Sequence, residues 1–582
     1  MKSRASRSRV ATLFSLVVAS GLVAACSFLV RAERCDSDSD CAGRAVAAVC
    51  RSGSCVASGI SAGDSGAKEC TLNAECVTKL KAADAICVKQ TNKCVRLFSV
   101  DCTRVSDEMK AKNDNAIFIG TLFKQGDGAG DVGASPDAIK AIEFAFNEFT
   151  QAPGGVPDPS GGPVRPLVAV ECNQTQDVIR AAKFLSEELR VPAIIGASSS
   201  YVTVQAATSV TIKNGTMMIS PFATSPGLTS LEDDGLVWRT CPSDSIQAQV
   251  VPAVVKQIVE SENFKKVRNP SDKVRIAIVK KDDNYGKGLY DIIAGSLSIN
   301  GETFEQAYSS GSIFVQTYPN MDNPSEENHD LGADADAVLK AGRFDIVILL
   351  GTSEIVKVLN ALEQGDKWSP RPYFILPEGV AGVSSLLKAI SEIPKAEDRL
   401  DLRRRIRGSI ANFYDSTAYG QFYRNFEAGG PKGNAINGAT AYDAAYTLAY
   451  AARAVGNAPI TGKSLSTAMG RLVSGSNVFN VGNNDINNVF RVLNAEGTKV
   501  SLQGTSGMLD FDLATGDVRA TRAATWCLAE RTVTVAGAEK PEIYLVRTEQ
   551  VFDSTTGTLS GTFPENPTSS DPKVDPCRFF AQ

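Results

Sequence analysis

Val191-Pro192-Ala193-Ile194-Ile195-Gly196-Ala197-Ser198-Ser199-Ser200 is followed, one helix length later, by Asn214-Gly215-Thr216-Met217-Met218-Ile219-Ser220-Pro221-Phe222-Ala223-Thr224. Each piece holds a short apolar run with no polar alternation, closed by Gly, Ser or Pro. That is the pattern of a strand buried on both faces. Residues 202–212 between them predict a helix, and Asn214-Gly215 a turn. Strand, helix, strand within some thirty residues argues for a parallel sheet covered on both sides.

The same texture extends outward from this stretch. Upstream, 117–120 and 167–170 predict strands, and 135–149 a helix with Ile139, Ile142, Phe146 and Phe149 on one face. Ser135 stands at its N-cap, with Pro136 in the first turn. Downstream, strands are expected at 275–279, 344–350, 373–376 and 410–413. Helices are expected at 286–299, 353–364, 383–390, 440–455 and 462–472. Residues 508–513 and 518–523 suggest a hairpin around Gly516. Two βα series predict an α/β chain of two Rossmann-like lobes. Loops are expected at 152–166 and 318–331. The charged run 395–407 reads as a solvated helix.

The N-terminus has a different character. Lys2, Arg4, Arg7 and Arg9 precede an apolar core at 10–25, and Leu22-Val23-Ala24-Ala25-Cys26 closes it. The segment is too short and interrupted for a spanning helix. It resembles a bacterial lipoprotein signal, which implies cleavage before Cys26, a diacylglyceryl thioether on its sulfur, and a membrane tether outside the cytoplasm. Ser27 rather than Asp after the cysteine slightly favours the outer membrane. Removing residues 1–25 takes away four positive charges and moves the formal charge from −5 to −9. An acidic chain is a poor nucleic-acid binder. With one histidine, His329, in an acidic loop, imidazole-based triads and His-rich metal sites are excluded. No cofactor is expected, and no base–nucleophile pair stands at motif spacing, so the chain reads as a non-enzyme.

After a short linker at 26–34, eight cysteines fall in two matching groups, Cys35, Cys41, Cys50, Cys55 and Cys70, Cys76, Cys87, Cys94. They form a tandem repeat across 35–102 with a Gly/Ser/Ala-rich joint. Units this small need staples, so disulfides within each repeat are expected in preference to metal. A stalk is the favoured role. Cys102, Cys172, Cys241, Cys527 and Cys577 lie outside the repeats; Cys172 is expected to bond Cys241, and Cys527 and Cys577 to tie down the Ser/Thr/Pro-rich tail after 550.

Residues 116–550 resemble the type I periplasmic binding proteins, in their leucine/isoleucine/valine-binding branch. The resemblance rests on 191–196, Ile219-Ser220-Pro221-Phe222-Ala223-Thr224-Ser225-Pro226, Trp238-Arg239-Thr240-Cys241-Pro242-Ser243-Asp244, Asp283-Asn284-Tyr285-Gly286-Lys287-Gly288, Pro377-Glu378-Gly379 and Tyr442-Asp443-Ala444. It implies two lobes, about 116–248 with 413–495 and 249–412 with 496–550, joined by three crossovers near 248, 412 and 495. A small polar, amino-acid-like ligand is implied between them, delivered to an ABC permease or reported to a sensor. The matching positions are Ser198, Ser200, Ala223 and Thr224 for a carboxylate, Glu378 for an ammonium, and Tyr285 to pack flat on the ligand and hydrogen-bond through its hydroxyl. Such loops lie beyond the carboxyl ends of the strands, where ligands bind in open α/β sheets. The sequence departs from the family in the first loop, 121–133, in Thr352-Ser353 where an aromatic is common, and in Cys172-Asn173. Those departures leave open the ligand's side chain, and an interaction protein that kept the fold is the alternative.

Overall fold

A computed structural model describes residues 48–51, 54–57, 68–125, 135–323, 325–364, 368–411, 414, 416–535, 537–561, 563 and 577. The expected targeting segment, Cys26, most of the first cysteine repeat and most of the first loop's glycine-rich part lie outside the described residues. The chain divides into two units, Met1–Glu69 and Cys70–Gln582. The first contains an antiparallel hairpin, Ala48–Arg51 with Ser54–Ala57, in which Cys50 faces Cys55.

The second unit is built on two sheets. One has six strands in the order Val237–Arg239, Met217–Ser220, Ala193–Gly196, Ile117–Phe123, Leu167–Asn173 and Cys102–Val105, all parallel except the last. Strand alternation sends Leu167 and Ala169 to one face and Val168 and Val170 to the other. The helices Ser135–Gln151 and Ala435–Ala454 cover the first face. Helix Ala435–Ala454 is buried along nearly its whole length, which explains its alanines: a Cβ on Gly438 would already stand 3.0 Å from that of Ala141.

The other sheet has eight strands. Ile313–Tyr318, Ile276–Lys281, Ile346–Leu350, Tyr373–Leu376 and Ile406–Ile410 are parallel; Arg522–Val535, Ala538–Asp553 and Thr558–Ser560 add antiparallel strands. The strand Ile313–Tyr318 and the long hairpin were not expected, and the sheet runs on beyond residue 550. The first crossing precedes Asp244 rather than lying near 248, because helix Asp244–Glu260 buries Ala248, Val251, Val255 and Ile258 in the second lobe. The second falls between Ile410 and Thr417. The third follows Val518 rather than lying near 495, since Val500, Leu502, Phe511 and Val518 belong to the first lobe's core.

The run 395–407 does contain a helix, Ala396–Arg405, but only one side of it is solvated: Glu397, Asp398, Asp401 and Arg404 are exposed, while Arg399, Arg403 and Arg405 are buried. Arg399 and Arg403 pair with Glu530, and Arg405 with Glu363 and Asp401. His329, too, is half-buried, with Nε2 2.6 Å from Asp334 Oδ2.

Cys70 bonds Cys87 and Cys76 bonds Cys94, so the second repeat is stapled within itself. It is part of the first lobe rather than a free spacer: Ile86 and Leu97 join that lobe's core, and the Asn73 backbone N–H donates to Asp114 at 2.6 Å. The expected Cys172–Cys241 bond does not form. Cys172 pairs with Cys102, directly opposite it on the antiparallel edge strand. Cys241 follows the far edge strand, four strand spacings of about 4.8 Å away, out of disulfide range. It remains a buried thiol whose pKa is pushed up by burial. Cys527 bonds Cys577. Alkylation without reductant is therefore expected to spare Cys241 in the native chain and label it in urea. Labelling of Cys102 or Cys172 before reduction, read by peptide mass, would count against this pairing.

Candidate ligand-binding site

A cavity of about 150 Å³ lies between the two lobes. Ser198, Ser200 and Thr224 reach it from the first lobe, and Tyr285, Thr352 and Glu378 from the second. Five of the six expected site residues thus share one cavity. Ala223 does not: it is fully buried one step behind, with its N–H donated to Ser220 Oγ at 3.0 Å.

Ser198 and Ser200 follow the strand Ala193–Gly196 and open the helix beginning at Ser200, whose N-cap is Ser199. Gln174, just beyond the end of Leu167–Asn173 two strands away, fixes Ser198 from two sides. Its Oε1 accepts from the Ser198 N–H at 3.0 Å and its Nε2 donates to Ser198 Oγ at 2.6 Å. The Ser198 hydroxyl proton is left for a ligand oxygen. Ser200 Oγ accepts from the Ser225 N–H at 3.1 Å and likewise keeps its proton to give. The Thr224 hydroxyl is committed, donating to Asp244 Oδ2 at 2.8 Å. Arg239 holds the loop from beneath. Its guanidinium donates to the Ala223 and Ser225 carbonyls and makes a bidentate pair with Asp517.

Asp244 is the junction of the two lobes. Burial raises its carboxyl to about 7, opposed by the Thr224 hydroxyl and reinforced by nearby Glu378. Gln247 donates to Asp244 Oδ1 and accepts from the Glu378 N–H at 2.6 Å. Glu378 Oε2 accepts from the Ala411 N–H at 3.0 Å, which ties this carboxylate to the second crossing. The Tyr285 hydroxyl accepts from Gly379 N–H at 3.0 Å, and burial pushes its pKa well up. The hydroxyl therefore stays neutral and keeps its own proton to donate.

A second group of charges borders the cavity. Lys124 of the first lobe pairs with Asp322 of the second at 2.8 Å. Lys281, nearly inaccessible, lies 2.8 Å from Asp322, 3.4 Å from Asp283 and 3.7 Å from Glu354. Burial alone would depress the Lys281 ammonium; Glu354, Asp322 and Asp283 outweigh it and raise its pKa. Ser225 Oγ also donates across the cleft to the Asn284 carbonyl at 2.8 Å. The two lobes are therefore closed on one another.

Residues 139–518 match the family model of the receptor family ligand binding region. The chain belongs to this family. Its fold is that of the type I periplasmic binding proteins, and its curated relatives come from the leucine/isoleucine/valine-binding branch. The Leu/Ile/Val-binding protein BraC3 of Rhizobium johnstonii is 36% identical over 130 residues, 22% of this chain and 30% of that protein. The Leu/Ile/Val-binding protein homolog 3 of Brucella melitensis is 28% identical over 176 residues, 30% of this chain and 42% of that protein. The aligned stretches thus span less than half of either relative. Among solved structures, the leucine-binding protein LivK of Thermotoga maritima overlaps 74% of this chain and 99% of its own at 14% identity and a TM-score of 0.48. The branched-chain amino acid substrate-binding protein LivJ of Streptococcus pneumoniae, solved with isoleucine, overlaps 74% and 99% at 16% identity and 0.48.

Several residues in and around this cavity escaped the sequence reading. Asp244 and Asp283 stood inside quoted motifs without a role. Gln174 had a usable signal, its place just beyond a strand's carboxyl end. Lys124, Gln247 and Asp322 had none, because each gains meaning only from a partner far along the chain.

Proposed function

We propose that this chain is an extracytoplasmic solute-binding protein, anchored through Cys26, that closes its two lobes on a small polar, amino-acid-like ligand for ABC-type uptake or sensing. The observation that carries the reading is the chemistry of the cavity's two sides. Hydroxyls of Ser198 and Ser200 stand on the first lobe with protons to give, and the Glu378 carboxylate and Tyr285 hydroxyl stand on the second. A zwitterion is complementary to that arrangement. Its carboxylate accepts from the serines, and its ammonium makes charge-assisted bonds to Glu378 in a site shielded from water. Ligand then adds contacts to both lobes at once and favours the closed state by its differential affinity.

The test is a thermal-shift screen of the purified chain against amino acids and their amides, followed by titration of the best ligand. One ligand class is expected to raise the melting midpoint. Glu378→Gln keeps an acceptor for the Ala411 N–H but removes the charge, and is expected to weaken binding by about 1.5–3 kcal/mol. Unchanged affinity in that variant would remove Glu378 from the site. Silence across the whole screen would favour an interaction protein that kept the fold.

A further inference from the structure

We propose that the ligand carries a second cationic group, received by the Asp283 carboxylate beside Thr352 and Ser353, so that the substrate class is a basic amino acid or a close relative. This rests on the amino-acid reading given above and narrows it.

The argument starts from hydrogen-bond satisfaction. The Asp283 side chain is only 1% exposed and lines the cavity. Its Oδ1 is occupied, accepting from the Gly286 N–H at 2.8 Å as the N-cap of helix Asn284–Ser296. Its Oδ2 has no hydrogen-bond donor among the described residues. Buried carboxylate oxygens are rarely left so, because desolvation is costly unless a donor replaces water. Lys281 does not fill the gap: its ammonium lies 3.4 Å away and turns to Asp322 at 2.8 Å.

Charge points the same way. Lys124 and Lys281 face three carboxylates, Asp283, Asp322 and Glu354, which leaves one negative charge over. Among the described residues, the charged groups lining the cavity itself are Lys124 against Asp283, Asp322 and Glu378. An α-ammonium answers Glu378, and Lys124 answers Asp322. Asp283 is then the group a further cation would neutralise. Thr352 and Ser353, standing where the family commonly places an aromatic, make this wall polar and offer acceptors for additional N–H groups. An aliphatic side chain here would leave Asp283 Oδ2 with the distant Lys281 ammonium and no hydrogen-bond donor among the described residues.

Lysine and norleucine separate the proposal from its rivals, since they differ only in the terminal ammonium. Calorimetric titration of the full chain is expected to show lysine or ornithine binding at least tenfold tighter than norleucine. In Asp283→Asn the cap acceptor Oδ1 is kept, and the lysine-to-norleucine affinity ratio is expected to fall at least tenfold. The thermal midpoint reports whether that variant is folded, and the wild-type comparison of the two ligands stands without it. Norleucine or leucine binding as tightly as lysine, a preference for glutamate, or an unchanged ratio in the variant would each overturn the proposal while leaving an amino-acid receptor. Failure of every amino acid to bind would instead overturn the underlying reading, and this proposal with it.

Discussion

Methionine in place of Arg239 is expected to destabilise the chain by about 3–5 kcal/mol, the cost of breaking a buried ion pair by removing one partner. The Arg239 side chain is 1% exposed. It donates to both carboxylate oxygens of Asp517 at 2.7 and 2.8 Å, to Thr229 Oγ1 at 2.8 Å, and to the carbonyls of Ala223 and Ser225 at 3.1 and 2.8 Å. Methionine fills much of the volume and satisfies none of these acceptors. The loss has a functional side as well. Arg239 ties the loop bearing Thr224 and Ser225 to the third crossing, and Ser225 in turn meets Ser200 and Asn284. Ligand affinity measured on the folded fraction is expected to fall with stability. Lysine at 239 restores charge without the planar fork and is expected to recover only part of either quantity. Urea denaturation of the three proteins checks this; a methionine variant within about 1 kcal/mol of wild type would show that the guanidinium is not what holds the loop.

How much of this was legible in the sequence divides along a physical line. The parallel strands Ala193–Gly196, Met217–Ser220 and Ile346–Leu350 are buried on both faces, and their composition announces it locally. Elements with one exposed face hid. Ile313–Tyr318 is an edge strand that carries Gln316-Thr317 before its last residue, and the hairpin of Arg522–Val535 and Ala538–Asp553 turns polar toward its tip, with Glu530, Arg531 and Thr532. The Arg-rich helix Ala396–Arg405 looked solvated because its partners Glu363 and Glu530 come from other elements. Cys172 was paired wrongly for a related reason. Its neighbour is decided by which strand lies at the sheet's edge, and nothing near 172 states that the chain leaving the cysteine-rich repeats supplies it.

The site shows the same division. Motifs placed Ser198, Ser200, Thr224, Tyr285 and Glu378 around one cavity, yet the hydrogen bonds that decide which of them still has a proton to give were invisible. Thr224 spends its hydroxyl on Asp244, so in the proposed reading the two serines alone supply first-lobe hydroxyl donors for a carboxylate. Lys124 and Asp322, which also border the cavity, belong to none of the quoted motifs.

Asp443→Ala is the second large effect, and it acts on the hinge. Asp443 is fully buried on helix Ala435–Ala454. Its Oδ1 accepts from the Thr505 N–H and hydroxyl at 2.8 and 2.9 Å, and its Oδ2 from the Ser506 N–H and hydroxyl at 2.9 and 2.6 Å. The adjacent Gly504 carbonyl accepts from Ser416 Oγ at 2.9 Å, so one carboxylate fixes the approach to the third crossing beside the exit of the second. Alanine leaves three buried donors unanswered, since the Thr505 hydroxyl still has the Ala439 carbonyl at 2.9 Å, and a loss of about 3 kcal/mol or more at pH 7 is expected, each unsatisfied group costing about 1–3 kcal/mol. The pH dependence carries a sign that a generic packing defect would not. Burial raises the Asp443 carboxyl from 3.8 to about 6, with the Ser506 and Thr505 donors opposing. The folded state therefore holds this proton more tightly than the unfolded chain. Its contribution to stability is complete below about pH 4 and is lost as pH rises through 6, at up to about 1.4 kcal/mol per unit. The alanine variant lacks that slope. The stability gap between wild type and variant, from urea titrations, is expected to be widest near pH 4, to narrow toward pH 6 and to level off above it. A gap that instead widens between pH 4 and 6 would mean that the donors of Thr505 and Ser506 outweigh burial and hold Asp443 ionised in the hinge.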